Sequence, residues 1–291
     1  MGQPPILILG LTHRSGTNYL ADLVSAHPGC TRPSGLGEDF LLMHSHLLSS
    51  YVDRTLGSWQ PEWKSGDKDK IFEAAFADAL GGFLNRIADE DDKRVVVKTP
   101  STRNIANFYR FFPDAHLLII VRDGRATLES GMRSFGWSFE QGLVNWTRNA
   151  TLINRFLAQG GDRHKLVRYE DLFTDNQKVL TEIFEFLGLP VADYAFDGAA
   201  NLAVRGSSEL TQSDTSDLHW TPVKKSKDFD PLSRAAHWTD AQKKRFDWVA
   251  GDAARQLGYA VEASIGPSDR WKNTLMDAKR ALGWRLRRLA K

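Results

Sequence analysis

The 291-residue sequence has a single cysteine, Cys30, which excludes an intramolecular disulfide and leaves no basis for a cysteine-based zinc site. A cytosolic setting is the expectation that follows. Long hydrophobic runs are also missing. The apolar stretch from Ile6 to Leu11 is too short for a signal sequence or a bilayer span, and Met1 to Pro5 lacks a basic leader, so no inserted segment is expected. No repeat or low-complexity tract is visible, and 42% hydrophobic content argues against disorder. Net charge is small at +2 but unevenly placed. Arg270 to Lys291 holds eight Lys/Arg against the single acid Asp277, a local charge of +7.

What is present reads as alternating strands and helices. Ile6 to Leu9, Val95 to Val97 and Leu117 to Val121 are apolar without polar alternation, as in strands covered on both faces, and His164 to Tyr169 is a weaker fourth. Helical spacing marks Thr17 to Ala26, Asp39 to His46, Lys70 to Ala88, Gly124 to Arg133, Glu140 to Leu157, Gln177 to Leu187, Asp240 to Gln256 and Arg270 to Leu289. The pattern predicts an α/β fold with a parallel sheet flanked by helices. Asp197 to Arg234, rich in Ser, Thr, Asp and Lys, reads as a long surface loop.

Two strand-to-helix turns carry the chemistry. In Gly10-Leu11-Thr12-His13-Arg14-Ser15-Gly16-Thr17, backbone N–H groups and a helix N-terminus are expected to converge on an anion. No lysine follows Gly16, which argues against a nucleoside-triphosphate site; a capped tight turn is the plainer alternative. In Val121 to Ser130, Arg122 sits at a strand's carboxyl end, where open α/β sheets bind ligands, and Ser130 lies about two helical turns further on. A strand-end arginine alone is equally at home in a structural ion pair.

Together these segments resemble the sulfotransferase superfamily. Arg14-Ser15-Gly16-Thr17 is similar to its 5′-phosphosulfate loop, and Arg122 with Ser130 to its 3′-phosphate segment. Val121 to Ala126, Ala26-His27-Pro28 and Gly37-Glu38 resemble the tyrosylprotein sulfotransferase branch in particular, while Tyr169-Glu170 and Lys98-Thr99-Pro100 resemble two further motifs. The likeness runs from Ile6 to about Trp238.

The resemblance implies a P-loop-like sheet binding 3′-phosphoadenosine-5′-phosphosulfate and transferring its sulfuryl group to a hydroxyl. No metal is required. It assigns Arg14, Ser15, Gly16, Thr17 and Asn18 to the 5′ side, Arg122 and Ser130 to the 3′-phosphate, and Tyr169 to the adenine. Ser207 or Ser208 and Arg234 would complete the 3′ site, with Lys224, Lys225 and Lys227 competing for the basic role.

Glu38 is the expected base and Lys98 and Arg14 the expected stabilisers of the leaving group. Without the resemblance, Glu38 is an ordinary acid in a helix's first turn. Asp39, His13, His44 and His46 are rivals for the base. A carbohydrate, a metabolite and tyrosine all qualify as acceptors, and the absence of secretory features favours the first two. A small-molecule kinase and a non-catalytic nucleotide binder of the same fold are the rival functions.

The catalytic domain is expected over 1–260, with 261–291 appended as a basic amphipathic helix. Leu275, Ala278, Leu282, Leu286 and Leu289 fall on one side of it, and Lys279, Arg280, Arg285, Arg287 and Arg288 largely elsewhere. Peripheral contact with an anionic membrane, contact with an acidic acceptor and simple packing on the body all remain open. Nucleic acid is not an expected partner.

Overall fold

The structure, a computed structural model, describes residues 3–90, 92–200, 232–261 and 263–289. Five parallel strands form its sheet: β1 (Ile6–Gly10), β2 (Cys30–Thr31), β3 (Arg94–Thr99), β4 (His116–Val121) and β5 (His164–Arg168), in the order β2-β3-β1-β4-β5. The register sets Ile8 beside Lys98 on one side and Leu118 on the other. Alternate residues of each strand serve opposite faces. Leu7, Leu9, Val95, Val97, Leu117 and Ile119 join one core cluster, whereas Ile6, Ile8, Val96, Leu118 and Ile120 join the other. Both faces are apolar because both are covered, which is why the strands show no alternation.

The helices are α1 (Thr17–Ser25), α2 (Leu41–His44), α3 (His46–Gly57), α4 (Lys68–Arg86), α5 (Phe108–Phe111), α6 (Gly124–Phe135), α7 (Phe139–Leu157), α8 (Tyr169–Thr174), α9 (Asn176–Leu187), α10 (Phe196–Ala200), α11 (Asp240–Gln256) and α12 (Pro267–Leu289). Buried side chains of α1 and α9 line one sheet face; those of α7 and α11 line the other. At the start of α6, Gly124 is required by packing. A Cβ there would stand 2.5 Å from the Phe246 ring of α11 and 2.8 Å from Trp146 of α7.

Three expectations change. Cys30–Thr31 is an edge strand, too short to show a pattern, held by pairing with Arg94 and Val95. The helix anticipated over 39–46 instead begins at Leu41, and a second helix follows from His46 to Gly57. The supposed long loop opens with α10, while Ser207, Ser208, Lys224, Lys225 and Lys227 lie outside the described residues.

Candidate functional site

Parallel strands put the carboxyl ends of β1, β3, β4 and β5 on one edge of the sheet, and the predicted residues gather there. The loop after β1 closes on itself: Thr12 N–H donates to Ser15 Oγ at 3.1 Å, and Ser15 N–H to Thr12 O at 3.3 Å. Gly16 then takes φ 97° as the N-cap of α1, and no described side chain caps that helix. Its first backbone N–H groups therefore face the edge where an anion is satisfied best. Glycine is required at 16 twice over, since φ is positive and a Cβ would meet the Tyr169 ring at 2.4 Å. Arg14 holds φ 71°, an unusual cost for a non-glycine residue.

That conformation aims the Arg14 side chain across the cleft, where its Nε donates to Ser130 Oγ at 2.9 Å. Arg234 Nη1 donates to the same oxygen at 2.8 Å. Arg122, buried at the end of β4, reaches Arg14 O at 3.4 Å and stacks over Tyr169, 4.5 Å from guanidinium carbon to ring centroid. Arg14 and Arg234 thus meet on the buried Ser130, and Arg122 joins them through the Arg14 carbonyl. Burial, and then the charges of Arg234 and Arg122, push the Arg14 pKa down to about 10. Like charges gathered in this way suit a multiply charged anion. Arg234, the candidate for the late basic residue, is placed against Ser130.

Tyr169 opens α8 directly after β5, with its ring between Gly16 and Arg122 and edge-on to Tyr19 at 6.1 Å. Its neighbour Glu170 ties the strand-end loops together. It accepts from Asp123 N–H at 2.9 Å and from Tyr259 O–H at 3.0 Å. Burial raises the Glu170 pKa, and burial with the nearby Glu170 charge raises that of Tyr259. The sequence contained Glu170 within a quoted motif, but nothing local pointed to Tyr259, which arrives from 89 residues away. Asn145 of α7 likewise reaches Thr12 Oγ1 at 3.3 Å, with no local signal.

On the other side of β1, Lys98 is buried at the penultimate position of β3, and its Nζ lies 3.0 Å from Glu38 Oε1. Burial lowers the Lys98 pKa while Glu38 opposes the shift. Glu38 stands three residues ahead of α2, so it is not a first-turn acid and the helix-dipole account of it fails. Its placement comes from Asp39. The Asp39 N–H donates to Lys98 O at 3.2 Å, and its carboxylate accepts from Leu41 N–H at 2.9 Å and Thr99 Oγ1 at 3.1 Å.

Asp39 is therefore a structural clasp, with its pKa raised by burial. His13 belongs to the same charge cluster: burial lowers its pKa, with Glu38 opposing and Lys98 and Arg14 adding to the shift. His46 instead pairs with Asn104 at 3.0 Å, and His44 is exposed. Among the described residues, no group of three or more His, Cys, Asp or Glu is placed to hold a metal ion.

The arrangement can bind an anion at two points along one sheet edge while presenting a carboxylate beside a buried ammonium. Comparison with known proteins places the chain in a family. Residues 4–193 match the model of the "Sulfotransferase family". The Protein-tyrosine sulfotransferase of Drosophila melanogaster is 26% identical over 200 residues, covering 65% of this chain and 39% of its own. Protein-tyrosine sulfotransferase 1 of Danio rerio is 25% identical over 206 residues, covering 65% and 54%. The chain thus spans about half, or less, of the length of these curated relatives.

In architecture it is similar to the sulfotransferase domain of the Synechococcus PCC 7002 olefin synthase. The TM-score is 0.56 at 22% identity, covering 90% of this chain and 98% of that one. With the family match spanning 4–193, a stretch that includes both strand-end turns, Glu38 and Lys98, the chain belongs to the sulfotransferase family.

Proposed function

We propose that this edge of the sheet binds 3′-phosphoadenosine-5′-phosphosulfate and that the protein transfers its sulfuryl group to an acceptor hydroxyl. The observation that carries the reading is the meeting of Arg14 and Arg234 on Ser130, with Arg122 bonded to the Arg14 carbonyl beside them, along the same sheet edge as the Glu38–Lys98 pair. A donor with a 3′-phosphate and a 5′-phosphosulfate has two separated anionic ends, and two strand-end turns suit it. Arg14, Ser15, Gly16, Thr17 and Asn18 would form a P-loop-like cradle at the 5′ end. Arg122, Ser130 and Arg234 would take the 3′-phosphate.

The donor supplies an activated sulfuryl group and a bisphosphate leaving group. The protein's own part is to position, deprotonate and stabilise. Glu38 is partly exposed beside Lys98, placed to accept the proton of an acceptor hydroxyl. Once protonated, it no longer neutralises Lys98. That buried ammonium, with Arg14, is then directed to the charge growing on the departing phosphate, where each fixed cation supplies about 3–4 kcal/mol in a water-poor site.

The relatives named as protein-tyrosine sulfotransferases make a tyrosine hydroxyl the first acceptor to try, with carbohydrate and metabolite alcohols beside it. A cytosolic setting goes with this proposal, on the strength of the single buried Cys30. The test is transfer of labelled sulfate from the donor to a panel of tyrosine peptides, sugars and small alcohols, with products identified by mass spectrometry. Labelled product from any of them supports the reading. Phosphoryl transfer from ATP with magnesium, and none of sulfate, would overturn it.

A further inference from the structure

Helix α12 runs for 23 residues from Pro267 to Leu289 and docks by its polar side. Asp269, Asn273 and Asp277 are spaced four apart and so form one line along it. Asp269 Oδ2 meets Lys244 Nζ at 2.9 Å, and the buried Asn273 accepts from Arg245 Nη1 at 3.4 Å. Asp277 accepts from Arg245 Nη2 at 2.8 Å and Trp248 Nε1 at 2.9 Å. Arg245 also grips Glu140 of α7 at 2.7 Å, so the dock involves two helices of the body.

This dock turns the helix over relative to an ordinary packed amphipathic helix. Its apolar stripe lies opposite the docked line, and Trp271 is 68% exposed and Leu275 41%. Ala278 is exposed as well, and the sequence continues the spacing with Leu282, Leu286 and Leu289. Both acids of the segment from Pro267 onward are used in the inward contact. The exposed positions Arg270, Lys272 and Lys279 flank the stripe with positive charge, in a segment whose net charge from Arg270 to Lys291 is +7.

We propose that α12 is an interfacial anchor that lays its Trp271–Leu275–Ala278 stripe into an anionic lipid surface. The chemistry selects this occupant. An apolar strip bordered by cations, held on a rigid body and facing outward, matches the boundary between acyl chains and anionic headgroups. A second copy of the same stripe would bring one cationic segment against another and is disfavoured by its charge. No described helix is long and apolar enough to cross a membrane, so the contact is in the plane of the surface.

The test is co-sedimentation of the full chain with phosphatidylcholine vesicles, with and without phosphatidylglycerol. Pelleting with the mixed vesicles, falling as salt rises, is expected, with little on phosphatidylcholine alone. The double substitution Trp271→Ser/Leu275→Ser should cut pelleting about tenfold or more, because it removes the inserting side chains. It leaves the Arg245–Asp277 dock untouched, so an unchanged melting temperature confirms folding. Lys272→Ser/Lys279→Ser should reduce pelleting about tenfold or more, since each cation near an anionic surface contributes roughly fivefold. Equal pelleting on both vesicle types, none on either, or full pelleting of the folded Trp271→Ser/Leu275→Ser variant would overturn the proposal. So would tight binding of soluble polyglutamate that both double variants leave unchanged together with their pelleting.

Discussion

Glu38 and Asp39 are adjacent carboxylates with different tasks, and the division is set by what each touches. Asp39 has its acceptors taken up by Leu41 N–H and Thr99, whereas Glu38 faces one buried ammonium. Glu38→Gln keeps shape and hydrogen bonding but cannot take a proton. Turnover should fall about a hundred- to ten-thousandfold with little change in donor affinity, and the acidic limb of the pH–rate profile should vanish. Near-wild-type turnover, with a collapse in His13→Ala, would move the role to His13.

Arg122→Ala removes a charge-assisted contact of roughly 1.5–3 kcal/mol, and calorimetry should show the bisphosphate product binding about ten- to a hundredfold more weakly. Asp39 offers a separate test through pH. Its folded pKa is raised by burial, so the native state binds the proton more tightly than the unfolded chain. Its contribution to stability is present below the ordinary carboxylate pKa of about 4 and is lost as pH rises through the elevated folded value. Melting temperature against pH should therefore fall less steeply in that window for Asp39→Asn than for the parent.

At the scale of elements, the site is a set of strand-to-helix turns held together from behind. The β1–α1 turn depends on Gly16, where Tyr169 leaves no room and φ is 97°. Gly16→Ala is expected to lower stability by about 1–3 kcal/mol and to weaken nucleotide binding in the same variant, read by thermal melting and calorimetry. The β4–α6 and β5–α8 turns are joined by Glu170, which serves both Asp123 and Tyr259. Glu170→Ala leaves a buried N–H and a buried hydroxyl without this acceptor, a cost of about 1–3 kcal/mol for each. Tyr259→Phe removes only the second bond, together with its donor, and should cost less. A smaller loss for Glu170→Ala than for Tyr259→Phe would show that Glu170 does not join the turns.

For the whole molecule, the described residues of the candidate site and the described α12 contacts use different side chains. Arg14 and Arg234 meet Ser130 and Arg122 meets the Arg14 carbonyl, whereas Asp277 meets Arg245 and Trp248. Deleting 267–291 should therefore leave nucleotide affinity unchanged. It should also lower the melting temperature, because the buried Arg245 keeps only Glu140 of its two carboxylates and Trp248 loses its acceptor. Loss of the nucleotide by a truncated chain that still folds would place α12 in the donor site.

The sequence alone determined the parallel sheet, the two strand-to-helix turns of the candidate site and the family. These depend on local signals: unbroken apolar runs three to five residues long, a glycine at a strand-to-helix turn, and an arginine at a strand's end. Most helix boundaries followed too, because amphipathic spacing over many residues outweighs any single position. The tertiary structure decided what spacing cannot encode. It placed Glu38 outside α2 through a clasp between Asp39 and β3, and brought Arg234 to Ser130 across 104 residues. It supplied Tyr259 as the partner of Glu170, and it turned α12 so that its acids face the body and its apolar stripe faces out. Amphipathic periodicity shows that a helix has two sides; which side meets the protein depends on partners such as Arg245 and Trp248, which only the folded chain brings together.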